Sequence, residues 1–166
     1  MDTIKGGEFL IKETPPQDIF TPEDWNEEQK MIGDMCEDFI SHEVAPLIER
    51  IDAQEEGLMP SLLEKAGELG ILGMIVPEEY GGMGVHFTTS LLATERLGKG
   101  YSFSVGYGAH TGIGTLPLLY YGNEEQKKKY LPGMASGALK AAYCLTEPSS
   151  GSDANSGKTK AKLTDD

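Results

Sequence analysis

The chain has 166 residues, 39% of them hydrophobic and 25% charged, and a formal net charge of -13. That size suits one domain able to bury roughly two-thirds of its unfolded surface. The acid excess argues against nucleic acid as a partner, since the tight basic run Lys127, Lys128 and Lys129 follows Glu124, Glu125 and Gln126 on what reads as a solvated helix face.

The opening stretch, MDTIKGGEFLIKET, carries no apolar core of signal-peptide length. No later run reaches the length that spans a bilayer, so no transmembrane segment and, by default, a cytoplasmic address are expected. Residues 1–18 are too polar to fold by themselves and are left as a separate segment. Thr21, Pro22 and Asp24 then supply a hydroxyl cap, a first-turn proline and an acid at the positive dipole end. They predict a helix from about residue 22.

Ile32, Met35, Cys36, Phe39, Val44, Leu47, Ile48 and Ile51 recur at three- and four-residue steps between acidic residues, which extends that helix to residue 51 with a bend before Pro46. A short second helix fits SLLEKAGELG, ending at Gly70. ILGMIVPEEYGGMG reads as a buried connection with a tight turn at Gly81 and Gly82. A third helix covers about residues 86–97.

Residues 101–121 have the length and apolar content of a buried helix, although Gly106, Gly108, Gly112 and Gly114 lower its propensity. Such glycines admit either a neighbouring backbone or a ligand. Asn123, with Gln126 three residues on, caps a fifth helix that should end near Leu131, before Pro132 and Gly133. After Gly137 the character changes: LKAAYCLT and KTKAKLT are strand-like. Two such strands need partners for their faces and edges.

The two cysteines, Cys36 in a helical pattern and Cys144 in a strand pattern, lack the spacing of a zinc site or disulfide framework, and both are expected as buried, reduced thiols. His42 and His86 read as surface or cap residues, and His110 as a packed or hydrogen-bonded histidine rather than a ligand. Between the strand-like runs, TEPSSGSD can be an ordinary turn, its hydroxyls bonding nearby backbone, or a nest of N–H groups around Gly151 and Ser152 that takes an anionic phosphate. SDANSGKT misses the P-loop pattern because Ser152 stands where glycine is required and no helical face follows.

AYCLTEPSSGSD followed by GKTKA resembles the signature of the acyl-CoA dehydrogenase family of flavoenzymes. LGILGMIVPEEYGGMG and YGNEEQKKKYLPGMASG resemble that family's N-terminal helical domain, in the same order, and the similarity runs over about residues 22–163 and favours the long and very-long-chain branch. The resemblance implies an all-α N-terminal helical bundle over residues 19–137, followed by the first strands of a truncated middle β domain over residues 138–166. FAD is the implied cofactor and a fatty acyl-CoA the substrate, with α,β-dehydrogenation as the reaction.

On this resemblance Tyr143, Cys144, Leu145 and Thr146 match the strand beside the isoalloxazine ring, with main-chain groups and the Thr146 hydroxyl on the flavin. Gly151 and Ser152 match the turn near the flavin pyrophosphate, and Ser152 also the pantetheine arm. Ser104 and Gly108 fall where the floor of the acyl tunnel is expected. The catalytic base belongs to a part of the family sequence beyond Asp166, and neither Glu147 nor Glu95 matches a motif for that role. Electron-transfer flavoprotein as acceptor and a homo-oligomer at full length are also implied. An acyl-CoA oxidase and a non-catalytic helical interaction module are the rival readings; intact Thr146, Gly151 and Ser152 speak against the second. The bundle should form by itself while residues 139–166 are loosely held.

Overall fold

A computed structural model describes residue 4 and residues 6–163. The expectations for the polar start and for the end of KTKAKLT therefore fall partly outside the described residues. Helix formation begins later than Thr21 suggests. The Thr21 amide does bond the Asp24 carboxylate at 2.7 Å, but this closes only a 3-10 turn, Pro22–Asp24. The continuous helix α1, Glu27–Phe39, starts at a second cap, where the Asn26 side chain accepts from the Gln29 amide at 2.8 Å and Gln29 returns a bond to the Asn26 amide at 3.1 Å.

The single helix expected to residue 51 is interrupted. After α1 the backbone passes through a π-helical turn, Ile40–Val44, and a 3-10 turn, Ala45–Leu47, before α2, Ile48–Asp52. Pro46 cannot donate into the ladder, and the wider turn ahead of it absorbs the mismatch while keeping Ile40 and Val44 buried. Helix α3, Leu58–Glu68, gives way to 3-10 turns at Ile71–Gly73 and Glu78–Tyr80, and Gly81 takes φ 81°, as a turn there requires. Helix α4, Phe87–Leu97, is capped by His86, whose ring nitrogen accepts from the Thr88 amide at 3.3 Å.

The segment expected as one buried helix is three pieces: α5, Ser102–Gly108, a π-helical turn, Ala109–Gly114, and α6, Leu116–Tyr121. Helix α7, Glu124–Ala135, runs on through Pro132. Proline is tolerated there because its side is exposed and the ladder resumes at once, the Ser136 amide reaching the Pro132 carbonyl at 3.1 Å.

The core lies between α1, α3, α4 and α5. Phe39 and Phe103 meet with ring centroids 5.5 Å apart, and Cys36, Val44, Ala66, Ile71 and Ala93 are fully buried around them. Burying such side chains is worth about 1.5–3 kcal/mol each for the larger ones. A second cluster joins Val76 and Tyr80 to Leu131 and Ala135 of α7, and the Tyr80 hydroxyl donates to Glu124 at 2.9 Å. The three elements α3, α7 and the 71–73 turn approach through glycine: a Cβ on Gly67 would stand 2.1 Å from the Ser136 carbonyl oxygen, and one on Gly73 would stand 3.1 Å from the Ala135 methyl.

No strand forms among the described residues, which corrects the expected opening of a β domain. The nearest thing is an isolated antiparallel bridge between Glu147 and Ser150. The residues after Gly137 have strand-like side chains but no neighbouring extended segment to pair with, and an extended run without a ladder is not a strand. The expectation that both thiols are buried is corrected with it: Cys36 is buried, Cys144 exposed.

Gly67→Ala should lower stability. Helix propensity would favour alanine by up to ~1 kcal/mol, but the backbone clash reverses the sign, to a net loss of about 1–3 kcal/mol. Gly98→Ala, where an added Cβ meets nothing within 4 Å, should stay within about 0.5 kcal/mol of the parent. Urea midpoints at unchanged slope read both.

Candidate functional site

The chain leaves the bundle along a defined path. At the end of α7, Gly137 takes φ 76° and turns the backbone, and a Cβ there would stand 2.8 Å from the Leu63 carbonyl oxygen. The Leu139 amide then donates to the Gly133 carbonyl at 2.8 Å, Lys140 pairs with Glu64 of α3, and the Ala141 amide donates to Nδ1 of His110 at 3.0 Å. Ala141 also lies against the bare α-carbon of Gly114, where a Cβ would be 2.5 Å from the Ala141 methyl. Residues 139–141 are thus anchored, more firmly than a loosely held tail would be.

Beyond them the pattern reverses. Among the described residues, 142–146 make no hydrogen bond, and Tyr143, Cys144, Leu145 and Thr146 are all exposed. The backbone donors and acceptors of this short extended run, together with the Thr146 hydroxyl, present an unmated edge. The turn that follows closes on itself. Glu147 and Ser150 exchange amide-to-carbonyl bonds at 3.0 Å each, and the buried Ser150 hydroxyl donates to the Asp153 carbonyl at 2.6 Å. The Glu147 carboxylate accepts from the amides of Lys158 at 2.7 Å and Thr159 at 3.1 Å, and its hydrogen bonds to Thr159 and Lys158 hold its pKa below the ordinary carboxylate value.

Glu147, Ser150 and Asp153 are therefore spent on loop geometry. Gly151 is different: a Cβ there would meet nothing within 4 Å and its φ is not positive, so neither packing nor conformation within the chain demands glycine. Ser152 beside it is exposed, and its hydroxyl makes no bond to the rest of the chain.

The glycines of residues 106–114 divide by role. Gly106 and Gly114 serve packing, against the Met59 sulfur and Ala141, whereas Gly108 and Gly112 have nothing within 4 Å of an added Cβ. Phe103 and Tyr107 turn into the core, so neither fills the space beside Gly108; Ser104 is half-buried and its hydroxyl donates to the Leu97 carbonyl at 2.5 Å. Four residues after Gly108, Gly112 borders an apolar groove of about 130 Å³ between α4, α5, α6 and the 71–75 connection, lined by Leu91, Ile75, Tyr107 and Leu116 among others. Val105 on the same helix is 74% exposed. Burial raises the pKa of the Tyr107 phenol and pushes the Cys36 thiol up to about 12, so both are neutral core groups at physiological pH.

The contact that the sequence did not announce is the one through His110. Its partners lie 24 and 31 positions away, so no local spacing marks them.

Residues 26–138 match the sequence model of the family described as "Acyl-CoA dehydrogenase, N-terminal domain". A probable acyl-CoA dehydrogenase of Bacillus subtilis is 53% identical over 98% of this chain, and the match takes up 27% of that protein. The bovine mitochondrial isovaleryl-CoA dehydrogenase is 37% identical over 82% of the chain and 33% of its own length. Among solved structures, an acyl-CoA dehydrogenase from Bacillus anthracis complexed with FAD superposes with a TM-score of 0.87 at 51% identity, over 93% of this chain and 26% of that one. The chain thus spans between a quarter and a third of the length of these relatives.

The two thiols should separate cleanly by reactivity. Cys36, with only ~1 part in 10,000 as thiolate at pH 8, is expected to resist iodoacetamide until denaturant is added, while exposed Cys144 is alkylated within minutes. Intact-mass spectrometry should show one adduct on the native chain and two on the unfolded one.

Proposed function

The chain belongs to the acyl-CoA dehydrogenase family, and on that premise we propose that it is the N-terminal part of a flavin-dependent enzyme catalysing α,β-dehydrogenation of a long-chain fatty acyl-CoA in fatty acid β-oxidation. The observation that carries this reading is the unmated edge of residues 142–146 next to a glycine that the chain itself does not need. Main-chain N–H and C=O groups of Tyr143, Cys144, Leu145 and Thr146 match the alternating donors and acceptors on the rim of a flavin ring, and the Thr146 hydroxyl adds one further donor.

Open space at Gly151 suits close approach by a pyrophosphate, and the free Ser152 hydroxyl suits a bond to it or to the pantetheine arm of the thioester. FAD, held by residues 143–146, Gly151 and Ser152, would supply a hydride acceptor for the β hydrogen, and a carboxylate would take the α proton. Glu147 is not that carboxylate, because its oxygens are committed to two backbone amides. The base is assigned to a later part of the family polypeptide, so the 166-residue chain by itself is expected to be inactive. What these residues would contribute is placement: an edge anchored at Ala141 would hold the ring in register with the substrate, and alignment of this kind lowers the barrier.

Ser104 and Gly108 are proposed for the floor of the acyl tunnel. The bare surface at Gly108 and the exposed Val105 beside it support an apolar chain over a polar one, and the preference for a long chain rests on the resemblance to the long-chain branch. The proposal extends to a cytoplasmic homo-oligomer that hands electrons to an electron-transfer flavoprotein. No helix of the described residues is long and apolar enough to cross a membrane.

The test uses the family-length polypeptide carrying this chain. Anaerobic palmitoyl-CoA should bleach its flavin absorption, and Thr146→Ala should weaken FAD binding about 3- to 10-fold, the span of one neutral hydrogen bond. Gly151→Val should weaken FAD or acyl-CoA binding with the urea midpoint unmoved. A polypeptide that binds no flavin would overturn the reading, and peroxide formed in air in step with substrate would move it to an acyl-CoA oxidase.

A further inference from the structure

His110 is buried to 1% exposure in the π-helical turn between α5 and α6, and both ring nitrogens are engaged. Nε2 lies 3.0 Å from the Met134 carbonyl oxygen, which can only accept; Nδ1 receives the Ala141 amide at 3.0 Å, which can only donate. These two partners fix the ring as the neutral tautomer with its proton on Nε2, because a proton on Nδ1 would face an N–H group.

The same turn holds the chain on its other side. The Thr115 hydroxyl donates to the His110 carbonyl at 2.7 Å, and Gly114 gives Ala141 its seat. Met134 belongs to the last turn of α7 and Ala141 to the run that leaves the bundle, so one imidazole spans the corner between them.

We infer that His110 is the positioning residue of the flavin-contacting run, setting the course of residues 142–146 by clasping Ala141 to the end of α7 in one tautomer. Its bearing on flavin rests on the function proposed above; the clasp itself does not. Residues 142–146 make no hydrogen bond among the described residues, so the last fixed point before Tyr143 is the Ala141 amide.

Protonation would break this arrangement, and the surroundings oppose it. The charged group facing the ring is Lys140, itself paired with Glu64 of α3. The π turn, the Ile71–Gly73 turn and the last turn of α7 carry no ionisable side chain apart from His110, and on α5 the neighbouring Tyr107 phenol is neutral. Burial, with Lys140 adding to it, lowers the pKa of His110 below 6.5, although the bond to Met134 pulls the other way. A histidine lowered on folding contributes stability that is fully present above its unfolded pKa of about 6.5 and is lost as pH falls through the folded value. The clasp therefore holds at neutral pH and opens in acid.

Two substitutions separate the two nitrogens. The amide of Asn in His110→Asn can reproduce the acceptor at Nδ1, and that of Gln in His110→Gln the donor at Nε2. In the 166-residue chain, nitrogen shifts of the His110 ring should report the Nε2–H tautomer at pH 7.5. Protection of the Ala141 amide, corrected for intrinsic exchange, should fall about tenfold in His110→Gln, stay near the parent in His110→Asn, and decline in the parent alone as pH drops below 6.5. An Nδ1–H tautomer, or Ala141 protection that is unchanged in His110→Gln and flat with pH, overturns the clasp, and the tautomer reading stands even where a variant does not fold. In the family-length polypeptide, FAD affinity should fall several-fold in His110→Gln and recover in His110→Asn. If the Ala141 results hold and FAD affinity ignores both variants, the clasp is upheld and its role in positioning residues 143–146 for the flavin is overturned, while Thr146→Ala tests the flavin assignment itself.

Discussion

A backbone-to-backbone approach between α3 and the end of α7 governs what this chain can present. Gly67 has no Cβ, and so the carbonyl of Ser136 can lie on the surface of α3 at a distance that any other residue would forbid. Gly137 then turns in the left-handed region, where its own bare α-carbon clears the Leu63 carbonyl. From that point the direction of the chain is settled. Leu139, Lys140 and Ala141 each find a different partner on the bundle, and only after all three does the backbone go unpaired.

The charge pattern follows the same logic of orientation over strength. Acidic residues outnumber basic ones by 27 to 14, and several cations are engaged in pairs that tie separate elements: Arg96 of α4 and Lys99 of the turn after it to Glu37 of α1, Lys65 of α3 to Glu43, and Lys140 to Glu64. Each pair is at least partly exposed, and pairs of that kind contribute about 0–1 kcal/mol. Their use is geometric. They pin the outer faces of helices whose inner faces are held by Phe39, Phe103, Leu62 and Leu97.

Much of this could be read from the sequence because the signals are local. Asn26 with Gln29 and Asn123 with Gln126 form reciprocal caps, and only the second was expected, since the Thr21–Pro22–Asp24 signal five residues upstream competes with the first. Gly81 turns where two glycines suggested a turn, and His86 caps α4. Pro46 marked the bend ahead of it, but the widened form of the turn at residues 40–44 and the whole break at 109–114 were not legible: an apolar stripe keeps its three- and four-residue steps whether or not one turn is widened, and the choice is made by what packs alongside. Pro132 misled for a related reason, since its effect depends on which side of the helix faces solvent. At the site, the signature points to a stretch and its glycine, but not to the anchor that holds them. His110 carries no local mark, because its two partners come from α7 and from the run after it.

The widened turn at Ala109–Gly114 has a consequence for how this stretch can vary in length. A π turn holds one residue more than the helix around it needs, so removing a single residue there would restore ordinary winding without breaking the helix. The wider winding absorbs the extra residue, so the helix downstream would keep its facing and Tyr120 and Tyr121 would stay exposed. Only the turn itself would be rebuilt, and with it the bond from Thr115 to the His110 carbonyl. A natural deletion at this place would be a change of the local turn rather than of facing.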